Sequence, residues 1–331
     1  MGFKTAVMGV TGAVGQEILN ILDERDFPVD SLLPLASERS KGKVIKFKGD
    51  DIPVQVLDHD SFKNIDLVLS SAGGSISRDF VPSAVKQGAV VVDNTSYFRM
   101  HDDVPLVVPE VNPGDIKKHK GIIANPNCST IIMVLPLFPI YKAFGIKRVV
   151  VSTYQAASGA GAKAMAELME ETRAVLDAKP YKRSVFPNQY AFNLFPHNSG
   201  VPDNDGYVQE EVKMIKETRK MFHDDKIRVS PTCVRVPVLR AHSETLNIEL
   251  EKDASVEDIY KLMESAPGVK VLEDRKKNRW PMPVDASGKD PVFVGRIRKD
   301  QSNPNTVEMW IVGDQIRKGA ALNAVQIAEL L

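Results

Sequence analysis

The chain opens with a short apolar run, a turn rich in glycine and an amphipathic segment, and this succession restricts the fold more than any other feature. Thr5–Val10 predicts a buried strand, and the turn Gly9-Val10-Thr11-Gly12-Ala13-Val14-Gly15 follows at once. The apolar residues of the next segment, at positions 18, 19, 21 and 22, form a helical stripe. A strand, a glycine turn and a helix in this order indicate a βαβ unit with a parallel sheet.

The glycine turn has a form that suits the pyrophosphate of a dinucleotide. Glycines permit a tight turn and a close approach of the backbone, and the N-terminus of the following helix offers N–H groups and a positive dipole to an anion. A tight turn without a ligand is the structural alternative. The position of the turn between a strand and a helix favours nucleotide binding.

The end of the second predicted strand, Leu32–Ala36, bears on which dinucleotide is bound. An NAD-binding chain places Asp or Glu about 20 residues after the glycine turn to hold the ribose hydroxyls. Here Ser37-Glu38-Arg39-Ser40 follows the strand. The guanidinium of Arg39 suits the 2′-phosphate of NADP, whereas Glu38 leaves a ribose contact open and a solvated turn remains the alternative.

A chain of 331 residues exceeds the size of a single hydrophobic core, so two domains are expected. The first 125 residues alternate short β-branched runs with helical stretches, as in a mostly parallel sheet. From about Lys147 the predicted strands, 148–154, 228–238 and 244–250, are longer and partly alternating, which predicts an α+β domain. Helices are expected over 162–176 and 209–222. Residues 177–207 predict a long excursion near an active site or a subunit contact, and the tail 317–331 predicts a helix that packs on the first domain.

Charge and cysteine usage exclude several classes of partner. Lys plus Arg and Asp plus Glu each number 43, so the long-range field that a nucleic-acid or anionic-membrane binder carries is missing. No apolar run approaches the roughly 18 residues of a membrane span, and the N-terminus lacks the features of a signal peptide, so a cytoplasmic location is expected. Cys128 and Cys233 fit neither a disulfide framework nor a CxxC metal pattern, and we expect no metal.

The two cysteines have opposite surroundings. Cys128 precedes the apolar run Ile131–Leu137, which places it at or near the start of a helix, where the dipole stabilises a thiolate and lowers the thiol pKa. The polar neighbours Asn127 and Ser129 argue against a cysteine that only fills apolar space. Cys233 lies inside an apolar strand, and a structural role is expected for it.

The segment 235–244 brings a cation and a histidine into one stretch. Arginine suits a substrate carboxylate or phosphate, and histidine suits acid–base work at neutral pH. A strand followed by a bend would aim Arg235 and His242 at one pocket. A structural histidine is the alternative.

Three stretches together resemble the aspartate-semialdehyde dehydrogenase family in their order and spacing. They are VDNTSYFRM at 92–100, VVPEVN at 107–112 and ANPNCST at 124–130. Shorter family-like pieces occur at 11–15, 155–161, 235–244 and 313–321, so that the resemblance covers nearly the whole chain.

This resemblance implies an α/β fold like that of glyceraldehyde-3-phosphate dehydrogenase. A Rossmann-type dinucleotide-binding domain, residues 1–127 plus 312–331, would carry an inserted α+β catalytic and dimerisation domain, residues 128–311. The implied reaction is the reversible, NADP-dependent reductive dephosphorylation of L-aspartyl-4-phosphate to aspartate 4-semialdehyde through a cysteine acyl-thioester, in lysine, methionine and threonine biosynthesis. The implied partners are the small-molecule substrate, inorganic phosphate and further copies of the chain in a homodimer or homotetramer.

The resemblance also assigns roles to residues by position. Cys128 would form the thioester, His242 would act as acid and base, and its cationic form would lower the thiol pKa further. Gln155 would orient the intermediate. Arg235 and Glu210 would hold the carboxylate and amino groups of the substrate, and Arg99 and Lys213 would bind its phosphate. Asn127 would be a further substrate-binding residue. The residues implied to contact NADP are Thr11, Gly12, Ala13, Val14, Arg39, Ser40, Ser158, Gly159 and Gln315. A slip of one residue would exchange Glu210 for Glu211, and a solvated helix face is the alternative there.

Two other functions compete with this one. N-acetyl-γ-glutamyl-phosphate reductase shares the reaction type and uses a cysteine and a histidine, but the stretches 92–100 and 107–112 fit it less well. A non-catalytic NADP-binding sensor would keep the fold without turnover. The joint presence of Cys128, Gln155, Arg235 and His242 argues against a sensor, which has no need of them.

Overall fold

The computed structural model describes residues 2–203 and 205–331, which form two compact units. One unit comprises the residues up to Asn127 together with Ala320–Leu331, and the other comprises Cys128–Gly319. The chain returns to the first unit later than residue 312, where the sequence placed the boundary. The reason is that the strand Thr306–Gly313 pairs along its whole length with the strand that begins at His242, deep inside the second unit.

The first unit is built on a six-stranded parallel sheet. Its elements before residue 128 are β1 (Phe3–Met8), α1 (Ala13–Glu24), β2 (Val29–Ala36), β3 (Val44–Phe47), β4 (Asp50–Pro53), β5 (Gln55–Val56), β6 (Leu67–Ser70), α2 (Gly74–Lys86), β7 (Val90–Asp93) and β8 (Ile122–Ala124), with 3-10 turns at Glu38–Ser40 and Pro113–Lys118. The strand order is β5-β2-β1-β6-β7-β8, and β3 and β4 form a separate hairpin. The predicted parallel sheet is confirmed.

β1 lies in the middle of this sheet because its residues are apolar on both faces. Ala6, Val7 and Met8 are fully buried, as expected for a parallel strand covered on both sides. The predicted stripe on α1 is confirmed, since its apolar residues at 18, 19, 21 and 22 are buried. The strand ends at Met8 and not at Val10 as predicted, because Gly9 has φ +86° and turns the chain out of the sheet.

The second unit contains a seven-stranded mixed sheet. Its elements are α3 (Cys128–Phe144), β9 (Ile146–Gln155), a 3-10 turn (Ala157–Ala160), α4 (Ala162–Leu176), β10 (Phe195–Pro196), α5 (Gln209–Phe222), β11 (Arg228–Arg235), β12 (His242–Leu250), α6 (Val256–Ser265), β13 (Val269–Val271), α7 (Pro283–Ala286), β14 (Val292–Lys299) and β15 (Thr306–Gly313). The strand order is β10-β11-β9-β12-β15-β14-β13. β11 runs parallel to β9, and β12 runs antiparallel to it.

The central strands of this sheet bury alternate residues. In β11 the residues at 229, 231, 233 and 235 are buried, and in β12 the even positions from His242 to Leu250 are buried. This period of two is the pattern of a sheet with one covered face, as the sequence predicted. α3 and α5 pack on that face, and Phe138 of α3 meets Phe222 of α5 edge to face, with ring centroids 5.4 Å apart.

A π-helical turn, Arg317–Ala321, begins in the second unit and ends in the first, and α8 (Leu322–Ala328) follows it in the first unit. The predicted C-terminal helix is therefore present but shorter. Arg25 at the end of α1 donates two hydrogen bonds, of 2.6 and 2.7 Å, to the carboxylate of Glu329, and Asn323 Nδ2 donates to the carbonyl of Val107 at 3.0 Å. Among the described residues, no helix has both the length and the apolar character that a membrane crossing requires.

The predicted excursion, residues 177–207, has little regular structure, and its residue 204 lies outside the described residues. Two buried carboxylates of α4 hold its first half. Glu167 accepts hydrogen bonds of 2.5 to 2.9 Å from the backbone N–H groups of residues 184, 185 and 186 and from Ser184 Oγ. Glu171 accepts from Arg183 Nε and from the N–H groups of residues 190 and 191. Burial by itself raises the pKa of Glu167, but these hydrogen bonds outweigh it and lower the pKa below its usual value.

We predict that Glu167→Gln lowers the free energy of unfolding by about 1–3 kcal/mol, because the amide keeps one acceptor oxygen and turns its NH₂ group toward N–H donors. The lowered pKa gives the sign of the pH effect. The carboxylate contributes stability above the usual Glu pKa and loses it as the pH falls through the lower folded-state value. Urea denaturation at several pH values measures both.

Glu170→Gln is the matched control. Glu170 lies on the exposed side of the same helix and accepts a single bond from Tyr181 Oη. Equal losses for the two variants would contradict the anchoring role of Glu167.

Candidate functional site

The first unit has a cleft at the carboxyl end of its sheet. β1 is followed in the chain by its neighbour β2, whereas β6 lies on its other side, so the direction of winding reverses between β1 and β6. Ligands of open α/β sheets bind at such a point. The loops after β1, β2 and β6 all contribute to the cleft, which has a volume of about 470 Å³. It is lined by Gly9, Thr11, Gly12, Ala36, Ser37, Glu38, Arg39, Val56, Leu57, Ser71, Ala72, Ile76 and Phe80.

Two glycines of the turn are required by close contacts. A Cβ atom added at Gly15 would lie 2.4 Å from the carbonyl oxygen of Gly9 and 2.8 Å from Cα of Val10. Gly9 has a positive φ and packs against the backbone at Ala72. Gly12 is the N-cap of α1, and no side chain caps this helix start among the described residues. The first turn of α1, with Ala13 and Val14, therefore presents its backbone N–H groups as an anion site requires.

The residues predicted to hold the 2′-phosphate of NADP lie at this cleft. Arg39 is exposed and lines it, within the 3-10 turn after β2. Ser40 is buried, and its Oγ lies 3.4 Å from Oγ1 of Thr11, which joins the second turn to the glycine turn. Glu38 lines the cleft too and forms a 3.2 Å ion pair with Lys41.

Sequence reasoning missed the far wall of the cleft. Ser71 and Ala72 follow β6, and Ile76 and Phe80 lie on α2. The small residues Ser71-Ala72-Gly73-Gly74 directly after a buried strand were the available signal, because a backbone that approaches a ligand closely needs small side chains. Ile76 and Phe80 give the wall the apolar surface that a planar base requires.

Arg99 and Asn127, both predicted to bind substrate, are buried in the first unit. The guanidinium of Arg99 donates to the carbonyl of Asn125 from Nε and to that of Asn94 from Nη2, both at 2.8 Å. Asn125 also donates from Nδ2 to Asn94 Oδ1 at 2.9 Å. Arg99 thus ties the segment after β7 to the segment that leads to Asn127.

Cys128 is the first residue of α3 and is partly exposed, so its predicted place at a helix start is confirmed. Its back is packed against the loop after β15. A Cβ atom added at Gly319 would lie 2.9 Å from Cβ of Cys128 and 3.3 Å from Cβ of Gln315. Sequence reasoning did not assign Gly319 to the site, although the small run Gly319-Ala320-Ala321 was part of the family resemblance.

Gln155 is the last residue of β9, and its side chain is buried. Its Nε2 donates to Ser129 Oγ at 3.0 Å and to Thr153 Oγ1 at 3.3 Å. Because Ser129 directly follows Cys128, this contact connects the end of the central strand to the start of the helix that begins at Cys128.

His242 begins β12 and is fully buried. The backbone N–H of Ala156, which follows β9, donates to His242 Nδ1 at 3.1 Å. A neutral imidazole whose Nδ1 accepts a hydrogen bond carries its proton on Nε2. Nε2 has no hydrogen-bond partner within the part of the chain that the structure describes. A Cβ atom added at Gly159 would lie 3.1 Å from it.

The expectation of a cationic His242 is wrong. Burial, followed by the positive charge of Arg235, lowers the pKa of His242 to about 3. The ring is therefore neutral at neutral pH, and it presents Nε2–H as a donor.

Arg235, at the end of β11, is paired in register with Gln155 and is almost fully buried. Its Nη1 donates to the carbonyl of Ala156 at 3.1 Å, and its Nη2 lies 2.8 Å from His197 Nε2. Nε has no partner among the described residues. A Cβ atom at Gly159 would lie 3.0 Å from Nη1, so that Gly159 borders both Arg235 and His242.

The first turn of α5 separates the roles of its two glutamates. Glu211 accepts the N–H of Val208 at 2.9 Å and the N–H of Cys233 at 2.9 Å, one on each oxygen, and so is occupied by the backbone. Glu210 is buried and accepts a 3.1 Å hydrogen bond from Lys213 Nζ. Because both oxygens of Glu211 are held by backbone N–H groups, this geometry favours Glu210 over Glu211 as a ligand-binding residue.

Ser158 and Gln315, predicted to contact the cofactor, are hydrogen-bonded to each other through Oγ and Nε2 within the second unit. Gln315 Oε1 accepts the N–H of Ala241 at 3.0 Å, immediately before His242. The neighbouring Asp314, fully buried, accepts from Arg240 Nε and from the N–H of Gly288, so the loop after β15 is held on both sides.

Two buried groups beneath this site have altered pKa values. Burial strongly raises the pKa of the Cys233 thiol, whose Sγ lies 3.7 Å from Met214 Sδ. Glu244 of β12 is fully buried, and neither carboxyl oxygen has a hydrogen-bond partner in the described chain. Burial, and then the charge of Glu210, raise the pKa of Glu244 well above its usual value, which favours the protonated carboxyl.

We predict that iodoacetamide near neutral pH labels Cys128 first and abolishes turnover. Cys128 is accessible at a helix start, whereas Cys233 is 1% exposed and its thiol resists ionisation. Cys233→Ser should keep both the labelling and the turnover, and Cys128→Ala should lose both. Peptide mapping that found the early label on Cys233 would contradict this assignment.

Each of the two units matches a known domain family. The NAD-binding domain of semialdehyde dehydrogenases matches residues 4–119, and the dimerisation domain of semialdehyde dehydrogenases matches residues 137–318. The chain therefore has the fold of a semialdehyde dehydrogenase, with a nicotinamide-dinucleotide-binding Rossmann unit and an inserted catalytic and dimerisation unit.

Whole-chain relatives define the family more closely. The chain is 56% identical to aspartate-semialdehyde dehydrogenases of Prochlorococcus marinus, over 98% of this chain and 95% of the relative, and of Aquifex aeolicus, over 100% and 98%. It is similar to the crystal structure of aspartate semialdehyde dehydrogenase II from Vibrio cholerae complexed with ASA, with a TM-score of 0.97, 46% identity and coverage of 100% and 98%. The Candida albicans enzyme with NADP matches at a TM-score of 0.76 and 27% identity, over 100% and 98%. The chain belongs to the aspartate-semialdehyde dehydrogenase family.

Proposed function

We propose that the protein catalyses the reversible, NADP-dependent conversion of L-aspartyl-4-phosphate to aspartate 4-semialdehyde through an acyl-thioester on Cys128, as a step in lysine, methionine and threonine biosynthesis. The single observation that carries this proposal is the grouping at one end of the second sheet. Gln155 and Arg235 end parallel strands there, and His242 begins the antiparallel one. A thiol at a helix start lies next to Ser129, which Gln155 contacts.

His242 acts in this proposal as a hydrogen-bond donor, in place of the acid–base role assigned from the sequence. Attack of the Cys128 thiolate, which the helix start favours, on the aldehyde carbon leaves an alkoxide, and Nε2–H of a neutral His242 stabilises that oxygen. The thioester carbonyl re-forms when the carbon loses its hydride, and no proton has to pass to the ring. When bound, the nicotinamide cofactor accepts this hydride, or supplies it in the biosynthetic direction.

Gln155 is proposed to orient the intermediate and exclude other positions of the carbonyl. Its side chain is fixed by Ser129 and Thr153, so it presents a rigid edge beside the helix start. Ordered catalytic groups of this kind lower the barrier because the geometry is set before the reaction.

The substrate carries an ammonium and a carboxylate, and the second unit offers one group for each. Arg235 is proposed to bind the carboxylate with its guanidinium, and Glu210 the ammonium with its carboxylate. The occupation of Glu211 by two backbone N–H groups supports the choice of Glu210.

Phosphate binding is proposed for Lys213, whose ammonium is partly exposed beside Glu210. Arg99 and Asn127 of the first unit are retained as substrate-binding residues on the strength of the family resemblance. The contacts of Arg99 with two backbone carbonyls support an additional role in holding the segment before Cys128.

The residues of the cleft in the first unit fit a dinucleotide. The glycine turn and the start of α1, from Thr11 to Val14, suit the pyrophosphate, and Arg39 with Ser40 suits a 2′-phosphate. Ser158, Gly159 and Gln315 are proposed cofactor contacts of the second unit, supported by the direct hydrogen bond between the first and last of them.

We predict that Arg39→Ala weakens NADP binding by about 1.5–3 kcal/mol, the contribution of a hydrogen bond to a charged group, and leaves NAD binding nearly unchanged. Titration of both cofactors measures this. Lys41→Ala is the matched control, since Lys41 is a cation of the same turn that is paired with Glu38 and does not line the cleft. Equal losses of NADP and NAD affinity in Arg39→Ala would assign Arg39 to the scaffold.

The proposed activity is tested by phosphate-dependent reduction of NADP with aspartate semialdehyde. We expect turnover with this substrate and a kcat/KM for N-acetylglutamate semialdehyde that is lower by roughly 100-fold or more, because an acetylated nitrogen has no charge to satisfy Glu210. A preference for the acetylated substrate would identify the reductase of N-acetyl-γ-glutamyl phosphate. Binding of NADP without turnover of either substrate would identify a sensor.

We also propose that the protein is a cytoplasmic homodimer, with a homotetramer as the larger alternative. The second unit, which matches a dimerisation domain, exposes large apolar side chains at the end of α4 and in the excursion that follows. Leu176 is 72% exposed, Phe192 65%, Leu194 62% and Val201 56%. Exposed apolar side chains in a unit that matches a dimerisation domain support burial against a second copy.

A further inference from the structure

His197 has no role in the sequence analysis or in the proposed reaction, yet it lies against the arginine that is proposed to bind substrate. Its Nε2 is 2.8 Å from Nη2 of Arg235. A guanidinium carries donors only, so His197 must accept at Nε2. The neutral ring then carries its proton on Nδ1, which lies 3.0 Å from Ser199 Oγ. The backbone N–H of Ser199 also lies 3.2 Å from this Nδ1.

The surroundings keep His197 in this accepting state. Burial, and then the charge of Arg235, lower the pKa of His197 to about 4. A protonated ring would present a donor to a donor. At neutral pH the imidazole is therefore an acceptor for Arg235.

Strand pairing fixes the position of His197. β10 pairs antiparallel with the end of β11, with Phe195 opposite Arg235 itself. The backbone N–H of His197 then donates to the carbonyl of Cys233 at 2.8 Å, which continues the pairing by one residue. The ring of His197 is thus set at a definite register beside the guanidinium and does not depend on a loose loop.

Arg235 has two further contacts, but the contact with His197 is the one that orients the far end of its side chain. Nη1 donates to the carbonyl of Ala156, and the guanidinium carbon lies 5.9 Å from the ring centroid of Phe186. A carbonyl and a ring face hold the plane of the group. The contact at Nη2 fixes its rotation within that plane.

Ser199 extends the arrangement to the other proposed substrate residue. Its Oγ, beside His197 Nδ1, accepts the backbone N–H of Glu210 at 3.1 Å. The first turn of α5 and the side chain of Arg235 are therefore joined through Ser199 and His197.

We propose that His197 is a positioning residue that orients Arg235 for the substrate carboxylate and couples it to Glu210 through Ser199. This inference rests on the proposed function. It predicts a specific loss in substrate binding, because a misaligned guanidinium cannot form the two parallel bonds that a carboxylate accepts.

The test compares His197→Met with His197→Gln in steady-state kinetics with aspartate semialdehyde. The two replacements have similar length, and only Gln offers an acceptor oxygen to Arg235. His197→Met should raise KM for aspartate semialdehyde about tenfold or more and change kcat less than about threefold, the pattern for lost binding of the substrate body. His197→Gln should restore KM to within about threefold of wild type, and KM for NADP should stay unchanged in both.

His119→Met is the matched control. His119 is also half-buried, and its Nδ1 faces the backbone N of the residue two positions later, Gly121, at 3.1 Å, but it lies in the first unit. His119→Met should leave KM for aspartate semialdehyde unchanged.

Each outcome decides the proposal. Equal KM values in His197→Met and His197→Gln, beside an active wild type, would overturn the inference and leave the proposed function intact. A wild-type protein without turnover of aspartate semialdehyde would overturn both. If His197→Met does not fold, His197→Phe takes its place in the comparison with His197→Gln, because it keeps a planar ring and lacks an acceptor.

Discussion

β9 pairs with β11 on one side and with β12 on the other, and the chemistry of the second unit depends on this double register. In the pairing with β11, Gln155 lies opposite Arg235. In the pairing with β12, Tyr154 lies opposite Ser243, and His242 is the residue just before Ser243. The first backbone N–H past the strand, that of Ala156, then meets the ring of His242. A slip of one residue would turn every side chain of β9 to the opposite face and separate these groups.

The register also explains why both histidines near Arg235 are neutral. The ring of His242 and the ring of His197 face the same guanidinium, and burial lowers the pKa of both. Arginine keeps its positive charge inside a protein. A second positive charge nearby is unfavourable, and it is therefore the imidazoles that stay neutral. The positive charge available to a carboxylate is thus concentrated on one rigid group, and the neutral rings serve as a donor at Nε2 of His242 and an acceptor at Nε2 of His197.

The sequence was most informative where one local pattern decides the structure. The glycine turn, the stripe on α1 and the helix start at Cys128 each depend on neighbours within a few residues, and all three were predicted. The neutrality of His242 was not, because it follows from desolvation and from the charge of Arg235, neither of which a linear pattern contains. His197 and Gly319 were missed because their contacts join distant parts of the chain. His197 is placed by a strand pairing across about 40 residues. Gly319, at the end of the second unit, contacts Cys128 at its beginning. For Glu210 and Glu211, adjacent in the chain, only the hydrogen bonds of Glu211 separate the two.

Glu244 and Glu167, two carboxyl groups of the same unit, are linked to folding with opposite signs. Glu167 binds its proton more weakly in the folded chain than in the unfolded one, and Glu244 binds it more strongly. Above the usual pKa of a glutamate, folding therefore favours proton uptake at Glu244, while at mildly acidic pH it releases a proton from Glu167. The contribution of the protonated Glu244 to the free energy of unfolding is complete below the usual pKa of a glutamate. It declines as the pH rises toward the pKa of Glu244 in the folded chain. Glu244 thus makes the folded second unit accept a proton through a side chain that water does not reach, and a rise in pH destabilises the unit from inside the sheet.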